Sequence, residues 1–126
     1  MNILQLDHLV LTVRDIDATC RFYADTLGME VMTFGDNRKA LRIGQQKINL
    51  HQLGQEFEPK AATPTSGAAD LCFLSDTPLE DIMVELQQAG IEILEGPVQR
   101  SGASGPINSI YLRDPDDNLI EISNSL

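Results

Sequence analysis

The sequence is short of positive charge and of aromatic residues. Lys and Arg number 9 against 19 Asp and Glu among 126 residues, which gives a formal net charge of -10 at pH 7. This excess of acid argues against nucleic-acid binding, because phosphate contacts need a basic surface, and against an anionic membrane as a partner. Trp is absent, and there are only 2 Tyr and 4 Phe. A pocket built from stacked aromatic rings is therefore not expected.

Long apolar runs are missing too, since none approaches the roughly 18 residues that a bilayer-spanning helix requires. The first residues show no basic segment followed by an apolar run, so we expect no secretory signal and predict a cytoplasmic protein. Cys20 and Cys72 form no CxxC pair and no zinc spacing, so we expect two buried thiols in a reducing compartment. The 42% hydrophobic content is enough for a core, and the length suggests a single domain over residues 1–126.

The chain reads as two copies of one unit. Period-2 alternation predicts a strand at 4–13. A helix follows, with Asp15 at its start and Gly28 at its end. Three further strands are predicted at 30–34, 39–43 and 47–52. After a loop at 54–67 the order begins again, with a strand at 70–75 and a helix from a capping box at 77–80 to Gly90. Its strands are predicted at 91–94, 110–113 and 119–123, the last two joined by a turn.

Counting supports the duplication. When the sequence is aligned with itself at an offset of 62 positions, Leu9 matches Leu71 and Gly28 matches Gly90. At an offset of 72 positions, the segment 48–50 matches the segment 120–122. The extra residues of the second half are placed in 96–106 and the turn that follows. The sequence therefore predicts an α+β fold of two βαβββ modules, about 4–53 and 68–126, each a cupped mixed sheet with one helix on its outer face.

Alternation divides the strands into two faces. One set is wholly apolar and belongs under the helices: Leu9, Leu11, Val13, Ile48, Leu50, Leu71, Phe73, Ile120 and Ile122. The opposite set carries His8, Asn49, His51, Asp70 and Glu121. Polar residues on an open sheet face need no special explanation. The duplication, however, makes His8 equivalent to Asp70 and Asn49 equivalent to Glu121, and such a set of side chains suits a divalent transition metal.

Two terminal motifs carry a family resemblance. The first motif is DHLVLTV at 7–13 and the second is YLRDPDDNLIEI at 111–122. Together with the pattern of residues at 22–31, at the end of the first helix and in the second strand, they resemble the vicinal oxygen chelate superfamily of glyoxalase I, bleomycin resistance proteins and extradiol dioxygenases. Residues 47–51, 56–61 and 95–98 are most similar to the glyoxalase-domain-containing protein 5 group. The resemblance covers almost the whole chain.

The resemblance implies metal ligands on the first and last strand of each half, which here are His8, Asn49, Asp70 and Glu121. His8 and Glu121 match the superfamily pattern. Asn49 and Asp70 depart from it, since the usual residues are Glu or Gln, and His. His51 follows Asn49 on the same predicted face and offers a substitute, giving His8, His51 and Glu121 as a 2-His-1-carboxylate set. Asp70 is then either a ligand or a support that orients an imidazole.

The function implied is that of a glyoxalase-like metalloenzyme, a lyase or isomerase in which a divalent Zn, Ni, Mn or Fe(II) ion chelates neighbouring oxygens of a small substrate. Glu121 would be a ligand that doubles as the general base. One alternative is an Fe(II) extradiol dioxygenase, and another is a metal-free binding or resistance protein. A homodimer is expected, with the site formed within one chain or across two.

Two smaller expectations accompany this interpretation. Arg42, Arg100 and Arg113 are predicted to be solvated surface charges. Residues 102–106 are interpreted either as a mobile flap over the site or as a plain surface loop.

Overall fold

A computed structural model describes all residues, 1–126, and divides into two compact units, Met1–Ser66 and Gly67–Leu126. The first unit contains β1 (His8–Val13), α1 (Ile16–Arg21) with a π-helical turn at Phe22–Thr26, β2 (Glu30–Phe34), β3 (Arg38–Ile43) and β4 (Gln46–Gln52). The second contains β5 (Asp70–Leu74), α2 (Leu79–Gln88), β6 (Glu95–Gly102), β7 (Gly105–Arg113) and β8 (Leu119–Ser125). The predicted α+β class and the repeated βαβββ order are confirmed.

The two sheets have the same topology. Their strand orders are β1-β4-β3-β2 and β5-β8-β7-β6, and in each the first strand pairs in parallel with the last while the other pairs are antiparallel. The apolar set predicted to lie under the helices includes the most deeply buried side chains, among them Val13, Ile48, Leu50 and Ile120. Each sheet therefore has one face closed by its own helix and hydrophobic core, which leaves the polar set on the opposite face.

Local signals set the limits of α1 as predicted. The Asp15 carboxylate accepts a hydrogen bond from the Ala18 amide at 3.1 Å, which satisfies one of the free N–H groups of the first turn. The fully buried Tyr23 anchors the π-helical turn in the core. Gly28 ends the helical segment at φ +74°, a conformation that glycine adopts without strain.

The start of α2 differs from the prediction. The capping box at 77–80 is wrong, because Pro78 occupies the N-cap position and no local side chain caps the helix. Instead, the side-chain oxygen of Asn124 on β8 accepts a hydrogen bond from the Leu79 amide at 2.8 Å. The Asn124 amide group also donates to the carbonyls of Ser75 and Thr77. A distant strand therefore supplies a cap that the local sequence does not reveal.

Three strand predictions also need correction. β1 begins at His8 rather than at residue 4, and residues 91–94 form no strand. The segment interpreted as an insertion or flap is the hairpin of β6 and β7, which a two-residue turn at Ala103 and Ser104 closes. Gly96 and Pro97, at the start of the extra residues of the second half, lie at a register irregularity in the edge strand β6. An edge position tolerates both residues because the free side of the strand needs no ladder bond there.

The predicted turn between β7 and β8 is confirmed. The Asp114 carboxylate accepts hydrogen bonds from the amides of Asp116 and Asn118 at 2.9 Å, and from the Asn118 side chain at 2.8 Å. The Asn118 side-chain oxygen in turn accepts from the Ala69 amide, which ties the turn to the residue before β5. The turn thus fixes the register between β5 and β8. No helix is long and apolar enough to cross a membrane.

We expect Asn124→Ala to lower the free energy of unfolding by roughly 1–3 kcal/mol, because it removes the α2 cap and two further part-buried hydrogen bonds. Urea denaturation followed by circular dichroism measures the change. Gln87→Ala, on the exposed side of α2, is the matched control and should leave the stability nearly unaltered. Equal stability of the two variants would contradict the role of Asn124 as a cap.

Candidate functional site

The polar side chains predicted to bind metal occur as two pairs at equivalent positions. In the first sheet His8 is in register with Lys47 and Val10 with Asn49, so Asn49 is two positions beyond His8 on the neighbouring strand. In the second sheet the partner of Cys72 is Glu121, which is likewise two positions beyond Asp70. Two residues of strand span about 7 Å, and both members of a pair point to the same face. Each unit therefore presents one pair of potential ligands on its open face.

His8 is arranged as metal-binding histidines commonly are. Its Nδ1 lies 2.8 Å from the Asp7 carboxylate, and its side chain is 45% exposed. The carboxylate stabilises the tautomer in which Nδ1 carries the proton, and this leaves the Nε2 lone pair available. Asp7 is a residue that the sequence analysis did not assign, although its position directly before His8 in the first motif was visible.

Asn49 is buried and incompletely satisfied. Only 7% of the residue is exposed, and its side-chain carbonyl oxygen has no hydrogen-bond partner. A buried polar atom without a partner costs free energy, so the Asn49 oxygen requires a partner from outside the chain, either a water molecule or a ligand. Asn49 departs from the superfamily pattern by residue type, but its burial and its unpartnered oxygen favour a role in binding.

His51 occupies the same face but lies away from His8. It is in register with Thr12, four residues beyond His8 on the strand, a separation of about 13 Å along the sheet. Its Nε2 faces the Arg38 guanidinium at 3.4 Å, and its ring packs edge-on against Phe57 at 5.4 Å. Burial and the Arg38 charge lower the pKa of His51. Within the first unit, His8 and His51 are too widely spaced to share one ion.

Glu121 is held by a set of hydrogen-bond donors on the second sheet. Ser109 donates to its Oε2 at 2.7 Å and Ser123 lies 3.3 Å from the same oxygen. Burial by itself would raise the pKa of Glu121, but hydrogen bonds from Ser109, Tyr111, Cys72 and Ser123 outweigh it and lower the pKa. The side chain is therefore a carboxylate at neutral pH, which is the form a cation requires.

Arg100 and Tyr111 extend this network. Arg100, predicted to be a solvated surface charge, has a side chain that is 39% exposed and also makes hydrogen bonds. The Arg100 Nε donates to the Tyr111 hydroxyl at 3.0 Å, and its Nη2 donates to Glu95 at 3.2 Å. Burial raises the pKa of Tyr111, and its bond to Glu121 raises it further. A chain of contacts therefore runs from Glu95 through Arg100 and Tyr111 to Glu121. It was not predicted because the residues are dispersed along three strands.

A cavity of about 510 Å³ opens on this face of the second unit. It is lined by the central strands and the β6–β7 hairpin, including Cys72, Arg100, Pro106, Ile107 and Glu121. Residues 102–106, interpreted earlier as a flap or loop, form its wall. The expectation of two buried thiols is corrected, since Cys20 is half-buried and Cys72 is exposed at the cavity. The sulfur of Cys72 is nevertheless partly desolvated, which raises the pKa of the thiol, so it is protonated at neutral pH.

Neither unit alone gathers three His, Cys, Asp or Glu side chains close enough to enclose a metal ion. The first unit offers His8 and Asn49, and the second offers Glu121 with the exposed Asp70. Each pair is half of the four-ligand set that the resemblance implies.

Two βαβββ units with such repeated polar pairs are the construction of a vicinal oxygen chelate protein. Residues 5–122 match the family model described as Glyoxalase/Bleomycin resistance protein/Dioxygenase superfamily, and the chain belongs to that superfamily.

Similar proteins agree with this membership. The chain is 63% identical over 123 residues to virulence protein STM3117 of Salmonella typhimurium, covering 98% of this chain and 85% of that protein. The crystal structure of STM3117 superposes with a TM-score of 0.97 over the whole of both chains. A second relative, glyoxalase domain-containing protein RDO1 of Mycosarcoma maydis, is 56% identical over 98% of this chain and 69% of its own length. Lactoylglutathione lyase from Agrobacterium tumefaciens, 20% identical with a TM-score of 0.72 over 96% of this chain and 93% of that one, shares the fold.

Replacement of Ser109 by Ala should raise the pKa of Glu121, because it removes the shortest bond that stabilises the carboxylate. Carbon-13 NMR titration of the Glu121 carboxyl group measures the shift, and the exposed Ser125→Ala is the control.

The same lowered pKa predicts a pH dependence of stability. A carboxyl group whose pKa is lower in the folded state stabilises the fold above its unfolded pKa, and this contribution disappears as the pH falls through the folded value. The stability difference between the wild type and Glu121→Gln should therefore shrink on acidification. A difference that is constant with pH would contradict the assignment.

Proposed function

We propose that the chain is a glyoxalase-like metalloenzyme of the lyase or isomerase type, in which a divalent ion binds two neighbouring oxygens of a small substrate. The observation that carries the proposal is the matched register of His8 with Asn49 and of Asp70 with Glu121. Solvated faces give no reason for polar side chains to recur at equivalent positions in two units. A shared ligand does, because duplicated modules then contribute equivalent donors to one ion.

The residues present suit a divalent cation. His8 offers Nε2 with its tautomer supported by Asp7, Glu121 offers a carboxylate that is already charged, and Asn49 has an oxygen without a partner. We assign these three as ligands, with the exposed Asp70 completing the set. The ion would supply Lewis-acid polarisation of the substrate oxygens. Zn, Ni, Mn and Fe(II) all accept such nitrogen and oxygen donors.

The geometry leads us to assign His51 and Glu121 other roles than the sequence suggested. His51 already faces Arg38 and lies four positions from His8, so we assign it to contacts with the substrate. The hydrogen bonds that lower the pKa of Glu121 also make it a weaker base. We therefore assign Glu121 as a ligand of the ion. It accepts a proton from the substrate only after the substrate has displaced its carboxylate from the ion.

The finer assignments belong to the same proposal. Membership of the glyoxalase-domain-containing protein 5 group is supported by the name and 56% identity of RDO1. The unpaired edges of β1 and β5, where Val10 and Leu74 are exposed, support a homodimer. The acidic composition without a long apolar helix fits a cytoplasmic location.

Protein purified without chelator should hold one divalent ion per site, and His8→Ala and Glu121→Gln should each weaken metal binding by about 10–100-fold. Inductively coupled plasma mass spectrometry measures the metal content, and turnover of the methylglyoxal–glutathione hemithioacetal measures activity. His51→Ala is the matched histidine control and should retain the metal. Metal-free wild type, or a variant pair that binds metal as the wild type does, would overturn the proposal.

A different function is favoured by one observation. The cavity of the second unit is a bounded, mostly apolar space that needs no ion to accept a ligand. A metal-free binding or resistance protein would bind small apolar molecules equally well after treatment with EDTA.

A third function, that of an Fe(II) extradiol dioxygenase, has support in the 30% identity to biphenyl-2,3-diol 1,2-dioxygenase 3 of Rhodococcus globerulus, of which this chain covers 62%. Oxygen uptake with a catechol distinguishes it.

A further inference from the structure

The open face of the first unit carries two cations that no carboxylate neutralises. Arg38 and Lys47 are half-buried, and neither lies within ion-pair distance of an acid. Arg42, the other cation of this face, is paired with Glu30 at 3.7 Å. In a chain of net charge -10, unpaired cations on one face are unexpected, because acids outnumber bases two to one.

Both cations rest on aromatic rings. Lys47 Nζ lies 3.9 Å from the centre of the Phe34 ring, and the Arg38 guanidinium carbon lies 5.1 Å from the same ring and 4.2 Å from Phe57. These contacts orient the cations without neutralising them. A hydrogen bond to a charged partner stabilises a cation more than contact with a partly exposed ring does. An arriving anion therefore competes well with the rings.

Two polar atoms beside these cations have no partner. The Arg38 Nε is buried without an acceptor, and the Asn49 carbonyl oxygen is buried without a donor. Asn49 lies between Lys47 and His51 on β4, with its side chain on the same face. The face therefore has an excess of positive charge for an anion and a free acceptor for a hydroxyl group.

We propose that this cluster, consisting of Phe34, Arg38, Lys47, Asn49, His51 and Phe57, binds a small organic carboxylate that bears a neighbouring hydroxyl group. The carboxylate engages the guanidinium and ammonium groups. In protein that holds no ion, the hydroxyl donates to the Asn49 oxygen, which the proposed metal site would otherwise use as a ligand. The charge of Glu56 acts on His51, so this acid also faces the cluster. The proposal goes beyond the metal chemistry above, because the cations act without an ion.

Proton NMR titration of EDTA-treated protein with sodium glycolate tests the proposal, with glycolamide as the uncharged analogue. Glycolate should shift the resonances of His51 and Phe57 saturably, and glycolamide should bind at least about tenfold more weakly. Arg38→Met and Lys47→Met should each weaken glycolate binding by about tenfold. Lys60→Met, which removes an exposed lysine that pairs with Glu58, is the control and should bind as the wild type does.

Equal binding of glycolate and glycolamide, or unchanged binding in both Met variants, would overturn the proposal. So would saturable binding of inorganic phosphate at this cluster without binding of glycolate. Should Arg38→Met fail to fold, Lys47→Met carries the test alone, because the Lys47 side chain makes only the contact with Phe34. Since the titration uses EDTA-treated protein, its result is independent of the metal content of protein purified without chelator, so this proposal and the metalloenzyme proposal fail separately.

Discussion

The parallel pairing of the first and last strand in each unit is the constraint on which the candidate site depends. Parallel strands cannot be joined by a tight hairpin, so the helix and two intervening strands must lie between them in sequence. This brings His8 beside Asn49 and Asp70 beside Glu121, although each pair is separated by about forty or fifty residues of sequence. The core under the helices fixes the register, because a slip of one residue would send every apolar side chain to the open face.

Electrostatics differ between the two open faces. In the second unit the charge of Glu121 is fully supported by hydroxyl and thiol donors, and Arg100 reaches it through Tyr111. In the first unit Arg38 and Lys47 lie on aromatic rings and lack acidic partners. One face therefore holds a satisfied negative charge, and the other holds positive charge that its own side chains leave unpaired. The first arrangement suits a cation, and the second suits an anionic ligand.

Much of the fold was predictable because it follows from local patterns and from the duplication. Period-2 alternation, Asp15 and the glycines at the helix ends identified most elements of both units. The errors lie where tertiary contacts decide: Asn124 caps α2 from a distant strand, and the edge strand predicted at 91–94 lies at Glu95–Gly102 instead. In the site, residue types identified His8 and Glu121. The register that separates His51 from His8 and the unsatisfied oxygen of Asn49 are properties of packing, which no sequence pattern displays.

The most direct test of the central claim is an anomalous difference map from crystals grown with Zn²⁺ or Mn²⁺. The account predicts a single strong peak about 2.0–2.2 Å from His8 Nε2 and from a Glu121 carboxylate oxygen, within one chain or across a dimer. A map with no peak at His8, or with peaks only beside isolated surface carboxylates, would show that the duplicated polar pairs do not form a common metal site.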